Sequence, residues 1–285
     1  MRCLRTKSAL KAELLAWRQA SARVALVPTM GNLHQGHLEL VKAAKARADR
    51  VVVTVFVNPA QFGPHEDFDR YPRTPEADQA ALSAAEADLV FMPVVSELYP
   101  DPVLAATRVE VTGLKDRLCG EVRPGHFEGV ALIVLKLFHL VRPDLAVFGE
   151  KDFQQLAIIR RLVKDLDLEI DVLGVPTVRE PDGLAMSSRN QYLSPLERQQ
   201  AASLYRCLCQ GARQLALGKS EISGVEADTV RALIDAGFRV DYVRLLDEDS
   251  LQSPRTVEGG RRRLFAAGWL GQTRLIDNLP IEDAG

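Results

Sequence analysis

Two histidines that follow the first predicted strand could act on a phosphate group. His34 and His37 lie in the segment PTMGNLHQGH, where the strand gives way to a helix. Residues three apart share one helix face, Gly31 and Gly36 let the backbone approach a ligand, and a helix start offers N–H groups to an anion. The pattern favours phosphate chemistry, in which both imidazoles donate hydrogen bonds, over a pair of capping or surface histidines.

Two further segments carry groups suited to phosphate. In FGEKDFQQ, which again joins a predicted strand to a helix, Lys151 is a point charge suited to polyphosphate and Asp152 is placed as a helix N-cap. In MSSRN, Ser187, Ser188 and Arg189 follow a glycine turn. Either segment alone is also compatible with a solvated helix start or an ordinary loop. Their occurrence together with the histidine segment favours nucleotide binding.

Uncharged amides mark candidate positions for a second ligand. Asn58 and Gln61 follow the second predicted strand in FVNPAQF, and a turn built by Asn-Pro explains Asn58 but not Gln61. Gln155 is otherwise an ordinary surface amide. His126, in RPGHFEG, is favoured as a structural residue, and a functional role for it stays open.

The elements that must position these residues alternate between strand and helix as far as residue 175. Near-continuous Val/Ile/Leu strands separated by helices predict a Rossmann-like parallel α/β sheet with helices on both faces and ligands at the carboxyl ends of its strands. The predicted strands are 23–29, 51–57, 88–92, 144–148 and 169–175, and the predicted helices are 36–48, 75–87, 127–141 and 153–166. The first twenty residues have an amphipathic helix pattern.

The pattern changes after the turn-rich segment VPTVREPDG. Helices at 195–217 and 226–236 and short strands at 241–246, 263–267 and 273–277 predict a smaller α+β domain. We therefore expect a nucleotide-binding domain over residues 1–177 and a C-terminal domain over 178–285.

Composition limits the class of protein. Hydrophobic residues make up 47% and charged residues 26% of 285 residues, and the net charge is −2. A protein that neutralises many nucleic-acid phosphates is usually basic, so a nucleic-acid partner is not expected. The sequence has no stretch typical of a membrane span, and its start lacks the apolar run of a signal peptide. With four cysteines interpreted as reduced thiols, we expect a cytoplasmic protein.

Seven motifs occur in an order and spacing that resemble the pantoate–β-alanine ligase family, over nearly the whole chain. They are PTMGNLHQGH, FVNPAQF, YPRT, RPGHFEGV, FGEKDFQQL, DGLAMSSRNQYL and TRLIDN. This family belongs to the nucleotidyltransferase superfamily, which includes class I aminoacyl-tRNA synthetases. There the His-x-Gly-His element recurs, and MSSRN occupies the place of their Lys-Met-Ser-Lys-Ser loop.

The resemblance implies a reaction. The family joins (R)-pantoate to β-alanine with ATP, through a pantoyl adenylate, and releases pantothenate, AMP and pyrophosphate on the route to coenzyme A. The domain over 1–177 is thus implied to bind pantoate as well as nucleotide. Mg²⁺ is implied on the ATP phosphates, and a homodimer is implied as the assembly. Because an acyl adenylate is hydrolytically fragile, the C-terminal domain is expected to act as a lid that excludes water.

The resemblance also implies site residues. His37 is the implied proton donor, with His34, Lys151 and Arg189 as the other catalytic groups. Gln61 is implied to contact pantoate and β-alanine, and Gln155 to hold pantoate. The implied ATP-binding residues are Met30, Gly31, Asn32, Leu33, His34, Gln35, Gly36, His37, Gly149, Glu150, Lys151, Asp152, Val178, Met186, Ser187, Ser188 and Arg189. Asp78 is open to two interpretations, an outer ligand of Mg²⁺ or a solvated helix acid.

Two other functions remain alternatives at this point. A nucleotidylyltransferase that transfers AMP to a phosphate would use the same histidines, but it should have a basic acceptor pocket in place of Gln61 and Gln155. A non-catalytic nucleotide-binding module is the second alternative. The pair His34 and His37, together with the cationic groups, argues against that module.

Overall fold

The computed structural model describes residues 1–64, 66–101, 107–218, 221–254, 256 and 260–281. By contacts the chain divides into two units. The first comprises Met1–Asp116, Gly120–Glu150 and Ile158–Pro176. The second comprises Arg117–Cys119, Lys151–Ala157 and Thr177–Gly285. Two short pieces of the domain predicted over 1–177, one of them containing Lys151, therefore group with the C-terminal residues.

The first unit is built on a six-stranded parallel sheet in the order β1-β4-β3-β2-β5-β6. Its strands are β1 (Arg2–Leu4), β2 (Val24–Thr29), β3 (Arg50–Val55), β4 (Leu89–Phe91), β5 (Leu145–Gly149) and β6 (Asp171–Val175). The central strand β2 pairs with β3 on one side, from Val24–Arg50 to Thr29–Val55, and with β5 on the other. The strand order reverses between β2 and β5, and ligands of such sheets bind beyond the carboxyl ends of the strands at that reversal.

Helices cover both faces of the sheet. Val27, Val53 and Val147 pack with residues of α2 and α3 on one face, and the alternate residues Leu26 and Val52 are equally buried on the other. The helices are α1 (Lys7–Gln19), α2 (Gln35–Lys45), α3 (Pro75–Ala84), α4 (Val95–Leu98), α5 (Cys119–Val122), α6 (His126–Val141) and α7 (Phe153–Asp165). This confirms the predicted Rossmann-like architecture.

The second unit packs three helices with a three-stranded antiparallel sheet. The helices are α8 (Pro195–Ala201), α9 (Ser203–Ala216) and α10 (Ile222–Asp235), and the strands, in sheet order, are β7 (Arg239–Asp247), β8 (Arg262–Leu270) and β9 (Thr273–Ile281). Leu204, Leu208, Leu233, Val243 and Leu264 form the centre of its core. This is the smaller α+β fold that the sequence predicts.

Two predicted elements were wrong in detail. Residues Arg2–Leu4 form an edge strand rather than the start of the first helix, and a three-residue strand containing Arg and Cys gives no alternating pattern. The helix predicted over 195–217 is two helices that meet at Ala202, which keeps helical angles of φ −61° and ψ −17°. No glycine or proline marks that interruption. Among the described residues, no helix is long and apolar enough to cross a membrane.

Candidate active site

The histidine loop, residues 30–37, leaves the carboxyl end of β2 and enters α2. Gly31 and Asn32 both adopt the left-handed backbone conformation, with φ of 86° and 49°. His34 is the N-cap of α2, and its Nδ1 accepts from the Gly36 N–H at 3.2 Å. The His37 Nδ1 accepts from the His34 N–H at 3.3 Å. Both Nδ1 atoms therefore cap the start of α2, as the interpretation as capping histidines predicts. In the neutral rings, whose centroids lie 4.2 Å apart, the proton is on Nε2.

Asp78 holds this loop in place. Its Oδ2 accepts from the Asn32 N–H at 3.0 Å, and its Oδ1 accepts from the Leu33 N–H at 2.8 Å and from the Thr74 hydroxyl at 3.1 Å. The side chain is buried, with 2% of the residue exposed, so the interpretation as a solvated helix acid is wrong. Both carboxylate oxygens serve the loop. A Cβ at position 31 would lie 2.8 Å from Asp78 Oδ2, which explains the glycine.

The Gln61 side chain is oriented by a buried neighbour, Asn58. The Asn58 amide donates to Gln61 Oε1 and to the Gly129 carbonyl, both at 3.1 Å, and its Oδ1 accepts from the Tyr99 hydroxyl at 2.9 Å. Asn58 is also the N-cap of the 3₁₀ turn Pro59–Gln61, as the Asn-Pro turn interpretation predicts. Gln61 is 8% exposed, and its Nε2 lies 3.0 Å from Met30 Sδ. Gln61 and the histidine loop are thus neighbours.

Burial keeps the Tyr99 phenol in its donating form. It raises the pKa of Tyr99 to about 12. The Lys136 ammonium lies 5.2 Å from the centre of the Tyr99 ring. Burial, with a smaller effect of the like charge on Lys7, lowers the pKa of Lys136.

His126 supports the Gln61 backbone. Its Nδ1 lies 2.8 Å from the Gln61 carbonyl oxygen, and its Nε2 lies 3.0 Å from Arg123 Nη1. Since a guanidinium can only donate, Nε2 accepts and Nδ1–H donates to the carbonyl. The Arg123 Nε in turn donates to Glu66 Oε1 at 2.8 Å. This is the structural role that the sequence favours for His126.

In the second unit, the expected Lys151 lies in the 3₁₀ turn Glu150–Asp152, which runs directly into α7. Its Nζ is 3.8 Å from Asp152 Oδ2, so the Asp152 carboxylate forms an ion pair with the lysine. Asp152 directly precedes α7, at the position predicted for the N-cap. The neighbouring Gln154 is buried, and its amide binds the Cys119 N–H at 3.1 Å and the Arg117 carbonyl at 2.6 Å. Gln155 is partly exposed, unlike Gln154.

The loop that contains Met186–Arg189 is closed at its base. Met186 N–H donates to the Val178 carbonyl at 3.0 Å, and an antiparallel bridge joins Arg179 to Ala185. Ser187 is the N-cap of the 3₁₀ turn Ser188–Tyr192, because its Oγ accepts from the Arg189 N–H at 3.3 Å. One of the two hydroxyls expected to grip phosphate therefore also shapes the turn.

Each unit contains one part of the residues that the sequence predicts for the site. In the first unit, the histidine loop, Gln61 and Gly149 all lie at the carboxyl edge of the parallel sheet. In the second unit, the set consists of Lys151, Asp152, Gln155, Val178 and the segment Met186–Arg189. Sequence reasoning missed Asp78 and Tyr99 as supports, because their partners lie 41 to 46 residues away and no local motif marks them. All four cysteines are free thiols.

Comparison with known proteins identifies the family of the chain. The profile of the family described as Pantoate-beta-alanine ligase matches residues 2–280. Pantothenate synthetase of Thioalkalivibrio sulfidiphilus is 54% identical over 99% of this chain and 98% of its own, and that of Methylococcus capsulatus is 51% identical over the same shares.

Solved structures of this family resemble the chain over nearly its whole length. The crystal structure of pantothenate synthetase from Thermus thermophilus superposes with a TM-score of 0.91 at 47% identity, over 98% of this chain and 99% of that one. Pantoate-beta-alanine ligase from Francisella tularensis, crystallised with beta-gamma ATP and β-alanine, gives a TM-score of 0.82 at 31% identity, over 98% and 97%. The profile match and these whole-length relatives place the chain in the pantoate–β-alanine ligase family.

Proposed function

We propose that this chain makes pantothenate from (R)-pantoate, β-alanine and ATP in two steps, through an enzyme-bound pantoyl adenylate. Family membership supports the net ligation, and the F. tularensis relative, solved with beta-gamma ATP and β-alanine, supports two of the substrates. The observation that carries the proposal is the His34–His37 pair at the start of α2, beside the strand-order reversal of the sheet.

In the first step, a pantoate carboxylate oxygen attacks the α-phosphorus of ATP and pyrophosphate leaves with the electron pair of the broken P–O bond. No enzyme nucleophile is required. The chain supplies position and charge: the partial positive charge at the start of α2 attracts the phosphates, and the Nε2–H groups of His34 and His37 donate hydrogen bonds to phosphoryl oxygens, with His37 as the donor to the developing charge. Lys151 and Arg189 offset the roughly four negative charges of ATP.

In the second step, the β-alanine amine attacks the acyl carbon, AMP leaves with the former carboxylate oxygen, and the amine loses a proton. Gln61 contacts both pantoate and β-alanine, and Gln155 holds pantoate. Neutral amides suit these roles because they orient a carboxylate without cancelling the charge with which it attacks. Asn58 and His126 fix the side chain and backbone of Gln61 respectively.

The nucleotide contacts that we propose come from four segments of the chain. They are Met30–His37, Gly149–Asp152, Val178 and Met186–Arg189. A nucleotidylyltransferase would require a basic acceptor pocket, whereas the group that contacts the histidine loop at Met30 Sδ is the neutral amide of Gln61, itself held by Asn58.

We propose that Mg²⁺ enters bound to ATP. The one carboxylate considered as an outer ligand, that of Asp78, uses both oxygens to hold the histidine loop. Within the described ranges, no three His, Cys, Asp or Glu side chains cluster as metal ligands. In this proposal the ATP phosphates supply the oxygens that Mg²⁺ prefers. We also propose a cytoplasmic homodimer, while the domain limits 1–177 and 178–285 and the lid role of the second domain stay predictions.

The experiment that tests the two-step route follows an oxygen atom. With pantoate labelled with ¹⁸O in its carboxylate, one labelled oxygen should appear in AMP for each pantothenate formed. Labelled inorganic phosphate together with ADP would instead show attack on the γ-phosphorus and an acyl phosphate, and would overturn the proposal.

A further inference from the structure

The TRLIDN motif near the end of the chain supports the family resemblance, but neither the fold nor the reaction has given it a role so far. It forms residues 273–278 of β9. Its last two residues, Asp277 and Asn278, are buried polar side chains, 2% and 3% exposed. Successive residues of a strand point to opposite sides, so this pair can hold two different segments from one rigid support.

Asp277 holds the base of the loop that contains Met186–Arg189. Its two carboxylate oxygens accept from Arg179 Nη1 at 2.6 Å and Nη2 at 2.9 Å. Arg179 Nη1 also donates to the Gly183 carbonyl at 3.1 Å, and its guanidinium lies 3.9 Å from the centre of the Tyr205 ring. Arg179 directly follows Val178, whose carbonyl accepts from Met186 N–H. The ion pair thus fixes the point from which the loop departs.

Asn278 holds the 3₁₀ turn Glu150–Asp152, which we call the Lys151 turn. Its Nδ2 donates to the Lys151 carbonyl at 2.9 Å, while its Oδ1 accepts from Arg263 Nη1 at 2.6 Å. Arg263 donates from Nε to Glu248 Oε1 at 2.9 Å, and it stacks 3.9 Å from the centre of the Phe153 ring at the start of α7. The amide that meets Lys151 is therefore itself locked in orientation.

We infer that Asp277 and Asn278 are positioning residues, which set the spacing between the Lys151 turn and the Met186–Arg189 loop for ATP. The inference rests on the proposed nucleotide-binding role of those two segments. A further bond, from Asn278 N–H to Asp277 Oδ1 at 2.8 Å, couples the two supports. A buried ion pair is often no more stabilising than apolar packing of the same volume, and in some proteins it fixes geometry; the pair of Asp277 and Arg179 fits that use.

The test compares substitutions that preserve side-chain shape. Asp277→Asn removes the charge that grips Arg179. Asn278→Asp keeps an acceptor for Arg263 but loses the donor to Lys151. Each should raise the KM for ATP by about 3- to 10-fold, as expected for one lost hydrogen bond, and leave the KM for pantoate within about twofold. Arg179→Lys, which keeps the charge but loses the two-pronged contact, should give a smaller rise and serves if Asp277→Asn does not fold.

Asp241→Asn is the matched control. Asp241 accepts from Arg274 Nε at 2.8 Å and from Trp269 Nε1 at 3.1 Å in the same sheet, and its side chain is 11% exposed. It therefore belongs to an ion pair of similar burial whose two partners lie outside the Lys151 turn and the loop. This variant should lower the melting temperature and keep the wild-type KM for ATP. If it raised that KM as much as Asp277→Asn does, a general loss of packing would explain the effect and the inference would fail.

Double variants separate this inference from the proposed function. Lys151→Ala and Arg189→Ala should each raise the KM for ATP, and unchanged values would contradict the nucleotide-binding assignment itself. If that assignment holds, Asn278→Asp should add little to Lys151→Ala, and Asp277→Asn little to Arg189→Ala, because each support acts through the group already removed. Fully additive effects would overturn the positioning role while leaving the proposed function intact.

Discussion

The Leu33 N–H donates a 2.8 Å hydrogen bond to Asp78 Oδ1 across 45 residues of sequence. The other oxygen of the same carboxylate accepts from Asn32, whose φ of 49° is unfavourable for a residue with a side chain. A buried carboxylate that accepts two backbone N–H groups can hold a loop in such a conformation. The histidines begin one residue later, so their placement depends on Asp78.

Asp78→Asn should weaken both the fold and ATP binding. An amide replaces one acceptor oxygen with a donor that faces a backbone N–H, at a cost of about 1–3 kcal/mol. We expect a lower free energy of unfolding and a raised KM for ATP, measured by urea unfolding and initial rates. Asp88→Asn, which also removes a carboxylate that accepts a backbone N–H, from Val51 at 2.9 Å, controls for stability alone. Equal effects of both variants on the KM would contradict the role of Asp78.

His37 has two separable functions, and substitutions can divide them. Its Nδ1 caps α2, and Nε2–H is the proposed donor to phosphate. In His37→Asn the amide oxygen can replace Nδ1 while the Nε2 donor is lost. In His37→Gln the terminal amide can either replace Nε2 or accept from the His34 N–H as an N3 glutamine of a capping box does, but it cannot do both at once.

The Asn variant should keep the wild-type melting temperature and lose roughly 10²–10³ in adenylate formation, by analogy with loss of an oxyanion-hole donor. The Gln variant should retain more adenylate formation, because its amide can reach the Nε2 position, and should lose at most about 1 kcal/mol of stability, because the same amide can also cap the helix. Single-turnover measurement of adenylate with pantoate and ATP, combined with thermal unfolding, checks both. The reverse ranking in adenylate formation would remove His37 from the role of donor.

Tyr99 gives a pH-dependent prediction. Because burial raises its pKa from 10.0 to about 12, the stability that the neutral phenol contributes is complete below pH 10 and is lost as the pH rises towards 12. Tyr99→Phe removes this group together with the bond to Asn58 Oδ1. The difference in unfolding free energy between wild type and Tyr99→Phe should therefore be largest near pH 9 and should shrink between pH 10 and 12. A constant difference across that range would contradict the proposed ionisation.

Gln155 and its neighbour Gln154 form a matched pair of amides. Gln155→Glu adds negative charge beside the pantoate carboxylate and should weaken pantoate binding most, whereas Gln155→Leu should weaken it less and reduce discrimination against a deoxy analogue by about 1–3 kcal/mol. ATP affinity should change little in either. Gln154→Leu, which leaves the Cys119 N–H and Arg117 carbonyl without their partner amide, should lower stability instead. Titration calorimetry with ATP and with pantoate measures both affinities. If a Gln155 variant lost ATP binding but kept pantoate binding, Gln155 would belong to the nucleotide site and this assignment would be wrong.

The sequence predicts the parallel sheet well because its strands are buried on both faces and read as continuous Val/Ile/Leu runs, such as Val51–Val53. The histidine loop was predictable for a similar reason: its glycines, histidines and helix start are adjacent in sequence. Local patterns fail for the edge strand Arg2–Leu4, which has three residues and one neighbour. They also do not reveal that Lys151–Ala157 groups with the C-terminal residues.

The supports of the site were harder to predict than the groups they support. Asp78 lies in the first turn of α3, where an acidic residue is favourable in any helix. Because helix stability alone accounts for an acid at this position, the sequence gives no sign of its hydrogen bonds to Asn32 and Leu33. Asn278 likewise has the pattern of an ordinary strand residue, and only the tertiary structure brings its amide to the Lys151 carbonyl.

Isotope exchange between pyrophosphate and ATP tests the central claim, a separate adenylate step, most directly. With MgATP and labelled pyrophosphate, pantoate alone should drive exchange in the absence of β-alanine, because the carboxylate attack is reversible before the amine arrives. Omitting pantoate should abolish exchange, and His37→Asn should lose it while remaining folded. Exchange that strictly requires β-alanine would contradict a separate adenylate, and exchange supported by a phosphate acceptor but not by pantoate would show a nucleotidylyltransferase instead.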